Sequence, residues 1–73
     1  MQQSIVIKTS SELSKFMHLA WESEYEIGVH DHKGAIADAK SVLGLLALDF
    51  HEPVLVVTDD DKFIKKIESA LGL

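Results

Sequence analysis

Four histidines, a run of three aspartates and one serine hold what reactive chemistry this chain has. His30 and His32 are two residues apart, so on a strand both rings would project from the same side, a weak candidate pair for a metal ion. No third ligand stands at a recognisable spacing, and no metal site is expected. His51-Glu52 directly precedes Pro53, and acid–base work would require that pair inside a substrate pocket. The reading is an exposed turn. Asp59-Asp60-Asp61 lacks the ligand alternation of a calcium loop and reads as the capped, acidic start of a helix. His18 falls inside a helical stretch, where backbone N–H groups are already bonded and cannot cradle an anion. Ser41 stands between a β-branched segment and an apolar helical one, where its hydroxyl would cap the helix.

The elements that must position these residues follow from hydrophobic periodicity. Ser4 to Thr9 alternates and reads as a first strand. Ser10 or Ser11 would cap a helix from about Ser11 to Glu22, with Leu13, Phe16, Met17, Ala20 and Trp21 on one face. Tyr25, Ile27 and Val29 alternate with polar or small residues as a second strand. Asp31-His32-Lys33-Gly34 reads as a hairpin turn, Gly34 supplying a positive φ. Ala35 to Ala39 reads as a short third strand, and Val42 to about Leu48 as an apolar helix that Pro53 cannot extend. Val54 to Val57 reads as a buried strand. Phe63, Ile64, Ile67, Ala70 and Leu71 make the strongest helical stripe, with Gly72 at its stop. The order is βαββαβα. The predicted fold is α+β, a four-stranded antiparallel sheet with three helices on one face. Phe16, Ala20, Ile36, Leu45, Val56, Ile64 and Ile67 are the expected core.

Composition narrows the function classes. At 73 residues the chain reads as a single domain, 1–73, with few walls from which to build a deep active-site cavity. It is therefore not expected to be an enzyme. Seven Lys, no Arg and twelve acidic residues give a net charge of -5. That balance argues against nucleic acid and anionic membranes, which need a basic footprint. The absence of Arg removes the bidentate grip on phosphate or carboxylate. With no Cys there is neither a disulfide nor a thiolate site. No apolar run reaches membrane-spanning length, and the first residues lack the pattern of a secretory leader. A cytoplasmic protein without a cofactor is expected.

The segment Gly34-Ala35-Ile36-Ala37-Asp38-Ala39-Lys40-Ser41-Val42-Leu43-Gly44-Leu45-Leu46-Ala47-Leu48 resembles HPr, the histidine-containing phosphocarrier of the bacterial sugar phosphotransferase system. The shared features are a Gly-bearing hairpin, a short strand ending at Ala39-Lys40-Ser41, and an apolar helix opening at that serine. The element order agrees over almost the whole chain. The resemblance implies an HPr-like open-faced β-sandwich. It also implies a docking surface for protein partners at Val42, Leu43 and Leu46, and a serine, Ser41, of the kind that HPr kinase phosphorylates in many Gram-positive bacteria. HPr carries phosphate on a His in a Gly-Leu-His-x-Arg-Pro-like motif opening the first helix. Here Thr9 to Phe16 contains no His, Arg or Pro. The expected function is thus a protein-binding or regulatory module that does not carry phosphate on that His, with components or regulators of the phosphotransferase system as partners. An active phosphocarrier using an unusual acceptor such as His18, and a small ligand-sensing α/β module, are the alternatives.

Overall fold

The computed structural model describes residues 1–72. Its elements are β1 (Gln2–Ile5), α1 (Ser10–Trp21), β2 (Ile27–His30), β3 (Ile36–Asp38), α2 (Val42–Leu46), β4 (Val54–Thr58) and α3 (Asp61–Ala70), in the predicted order. The four strands form one antiparallel sheet in the order β1-β4-β2-β3. Inward-facing Ile5, Ile27, Val29, Ala37, Val54 and Val56 share a single core with Phe16 and Ala20 of α1, Leu45 of α2, and Phe63, Ile64 and Ile67 of α3. All three helices therefore cover one face. Phe16 and Phe63 meet edge to face, ring centroids 5.6 Å apart, and lock α1 against α3.

Register explains the layout at the two ends of the sheet. β1 and β2 both pair antiparallel with β4, so they run parallel to each other, and the connection between them must cross the covered face as α1. By the same logic β3 and β4 flank β2 in parallel and are joined through α2. Ile5 pairs with Val54, and His30 pairs with both Leu55 and Ile36. The β1–α1 connection, the β2–β3 turn and the α2–β4 connection are thereby gathered at one end. Ser41 and the α1–β2 connection lie at the other.

Several sequence expectations need correction. β1 ends at Ile5 instead of Thr9 and begins earlier, at Gln2. The register would set Val6 opposite Pro53, which has no N–H to donate, so the ladder stops there. The cap of α1 is Thr9, not Ser10 or Ser11. Its Oγ1 accepts from the Glu12 N–H at 3.1 Å, while Glu12 Oε1 accepts from the Lys8 N–H at 2.7 Å. Trp21 ends α1 exposed while its neighbour Ala20 keeps the core side of the last turn, and Ala70 is exposed at the end of α3. Tyr25 precedes β2 and is exposed.

The expected core residue Ile36 is 67% exposed. It pairs with His30 on the uncovered face, and the pleat turns Ala37 inward, with Ala39 also buried. Small residues are needed there because α2 lies close: a Cβ on Gly44 would come within 3.3 Å of the Ala37 Cβ. Gly34 adopts φ 88° in the β2–β3 turn, as its position requires.

Candidate functional site

α2 is five residues long, Val42–Leu46, and contains no charge. Ser41 has extended backbone (φ -102°, ψ 109°), and its Oγ accepts from the Gly44 N–H at 3.1 Å. This is the N-cap expected from the sequence. Its own N–H donates to the Asp38 carbonyl at 2.9 Å, and its carbonyl opens the helical ladder by accepting from Leu45. The preceding Lys40 fixes this corner, its Nζ donating to the carbonyls of Ser23 (2.7 Å) and Tyr25 (3.0 Å). The end of β3 is thus tied to the α1–β2 connection.

A five-residue helix makes little more than one turn, so it presents one side inward and leaves the rest outside. Leu45 is fully buried, whereas Val42 is 49%, Leu43 82% and Leu46 65% exposed. Leu48, just past the helix, is buried and anchors its far end. The three outward residues form an apolar surface beside Ser41, at the positions the HPr resemblance assigns to docking. Phe50 packs on the core instead of folding over them.

The histidines do not assemble as their spacing suggested. β2 ends at His30, whose ring lies over Gly28 on the uncovered sheet face. His32 lies beyond the strand, in the turn, with Nε2 3.1 Å from Asp49 Oδ2. Strand alternation does not apply across that boundary, and His32 is engaged by Asp49. His18 is exposed in the last turn of α1. Among the described residues no group of three or more His, Asp or Glu side chains is arranged to hold a metal ion.

A second polar centre brings together residues that the sequence reading treats separately. It sits where the three connections converge. Asp31 is almost wholly buried, and its carboxylate accepts from three backbone N–H groups: Lys33 and Ala35 at 2.9 Å and Asp49 at 3.0 Å. The Asp49 N–H is the leading cause that holds the Asp31 carboxyl below its usual range, against the opposing effect of burial. Asp49 in turn accepts from Lys33 Nζ at 3.0 Å, His32 Nε2 at 3.1 Å, and both the backbone N–H and Nδ1 of His51 at 2.9 Å. The His51 N–H first, then the Lys33 ammonium, hold its carboxyl well below the ordinary carboxylate range. The two aspartates buckle the β2–β3 turn to the α2–β4 connection.

The buckle forms one wall of an open cleft of about 870 Å³. The other walls are Val6 to Lys8 and Ala47 to Phe50. His51 lines its mouth with the side chain 96% exposed, and Glu52 takes no part. Of these residues the sequence singles out Asp31 and Lys33, as part of a hairpin turn, and His51, as half of a pair with Glu52. Nothing in it connects Asp31 with Asp49, eighteen positions away.

No protein-family model matches this chain, and no curated protein matches it.

Proposed function

We propose that this chain is an HPr-like protein-binding module related to the bacterial sugar phosphotransferase system. It acts by docking a partner protein on Val42, Leu43 and Leu46 rather than by catalysis. The observation that supports the reading is the split along α2: three adjacent large apolar side chains face water while Leu45 is fully buried. An exposed apolar cluster of this kind carries a cost in solubility that a partner interaction accounts for. The resemblance of Gly34 to Leu48 to HPr and the βαββαβα order also support the reading.

Ser41 is proposed as its switch. A phosphate on Ser41 would meet the free amides of the first turn of α2, which the fold tolerates. The same charge would set a dianion beside an apolar docking face, where desolvating it on partner binding is costly. The opening of α1 reads Thr9-Ser10-Ser11-Glu12, and it supplies no imidazole to carry a phosphoryl group. The module is accordingly proposed to be cytoplasmic and to regulate or accompany phosphoryl transfer carried out by others.

The test is titration of the isotope-labelled protein with enzyme I and with sugar-specific acceptor domains of a phosphotransferase system. Saturable amide shifts centred on Val42, Leu43 and Leu46, weakened at least tenfold by Leu46→Glu, are expected with one of them. Absence of saturable shifts with all of them overturns the assignment to that system. Treatment with HPr kinase and ATP should add one phosphate, lost in Ser41→Ala. No mass gain removes the switch.

A further inference from the structure

The cleft at the opposite end of α2 from Ser41 has the attributes of a small-molecule site and is separate from the docking surface. Its volume of about 870 Å³ is within the range of ligand pockets. Its walls are mainly apolar: Val6 is exposed toward solvent, Phe50 is half-buried, Ile7 and Leu48 are buried beneath, and Ala35 and Ala47 leave room at the rim. The Asp31–Asp49 buckle fixes two of its three connections, so the shape is set before anything binds.

Charge decides what it takes. Four charged groups line it: Lys8, Asp31, Lys33 and Asp49. Three of these satisfy one another or the backbone. Asp31 is saturated by amide donors, and Lys33 is paired with Asp49. Lys8 is the exception, for among the described residues no carboxylate lies within ion-pair distance of its ammonium. Lys8 also lines a smaller adjoining hollow with Thr9, Ser10 and Phe50, so it sits between the cleft and the start of α1. One uncompensated cation suits one negative charge. A dianion would bring a second negative charge with a single unpaired ammonium to offset it.

We propose that this cleft binds a small amphipathic monocarboxylate, its head on Lys8 Nζ and its apolar body against Val6, Ala47 and Phe50. The proposal stands independently of the docking surface, since Leu43 and Leu46 take no part in the cleft.

The experiment is a nuclear magnetic resonance titration of the labelled full chain at pH 7 with hexanoate, hexanol and hexyl phosphate as probes. Hexanoate should give saturable shifts at the amides of Val6, Lys8, Ala35, Ala47 and Phe50, with weaker binding of the alcohol and the dianion. Lys8→Gln should weaken hexanoate about two- to fivefold and leave hexanol unchanged. Ala47→Trp, which fills the rim, should remove the saturable shifts. Equal binding of hexanoate and hexanol, an unaltered hexanoate affinity in Lys8→Gln, or shifts centred on Leu43 and Leu46 would each overturn it.

Discussion

Replacing Leu45 and Leu46 separately by Ala tests the surface on which the functional reading rests. The residues are adjacent and equal in size and helix propensity, so local effects on α2 nearly cancel. Burial separates them: Leu45 is 0% exposed and Leu46 65%. Leu45→Ala deletes a fully packed side chain of the core cluster that also holds Ala37 and Ala39, and leaves a void, which costs about 2–5 kcal/mol. Leu46→Ala removes a side chain that is mostly in water already, within about 0.5 kcal/mol of neutral. At about 0.05–0.15 kcal/mol per residue, a domain of this size has roughly 4–11 kcal/mol of stability in all. Each kcal/mol moves the thermal midpoint by about 4–8 °C in so small a domain. Leu45→Ala should therefore lower the midpoint by roughly 10 °C or more, and Leu46→Ala by about 4 °C or less. Far-ultraviolet circular dichroism, followed through a reversible melt, reads both. Comparable losses in the two variants would mean that Leu46 is packed, and the docking surface would disappear with that result.

Ile67→Ala, at a fully buried position in α3, should cost about 2–5 kcal/mol in chemical denaturation; an unchanged midpoint would misplace α3 on the core. Ser41→Ala should cost about 1 kcal/mol through loss of the Gly44 N–H acceptor, and Ser41→Asn, which can still cap, should recover most of it. Acid should destabilise the fold through its lowered carboxyls. Asp31, Asp49 and Asp60 all titrate below their ordinary value when folded, so the unfolded chain takes up protons first as pH falls. Their stabilisation is complete above about pH 5 and declines as the pH drops through about 4 and below. Asp49→Asn should flatten that decline when denaturation is measured at pH 7, 4 and 3, and an unchanged slope would show that the buckle carries little of it.

The fold was largely legible because each element needs only a local pattern. The 3.6-residue stripe of Phe63, Ile64 and Ile67 is buried, and of the run expected to be a buried strand Val54 and Val56 are buried while Leu55 and Val57, on the uncovered face, are half-exposed. The misreadings share a cause. Ile36, Trp21 and Ala70 are apolar residues whose direction depends on which neighbour lies opposite, not on their own type. A three-residue strand such as β3 has too few alternations to fix its phase, so the pattern points Ile36 inward although Ala37 occupies that side. The start of β1 was missed because Gln2 and Gln3 join the sheet through backbone groups, which leave no trace in side-chain pattern.

Legibility at the two candidate sites divides along the same line. The α2 surface could be read in advance because cap, stripe and outward face all lie within eight consecutive residues, Ser41 to Leu48. The cleft could not, because it exists only through the register that brings three connections to one end of the sheet. Asp31 and Asp49 are unremarkable turn residues until β2 and β4 pair. Once those strands are in place, Asp31 accepts an N–H from the far connection, and Asp49 gathers a lysine and two histidines. With those carboxylates matched internally, Lys8 is the charged group of the cleft wall without an ion-pair partner among the described residues. The chain's net charge of -5 conceals this local balance, so whole-chain electrostatics bear on polyanions and say nothing about a single carboxylate.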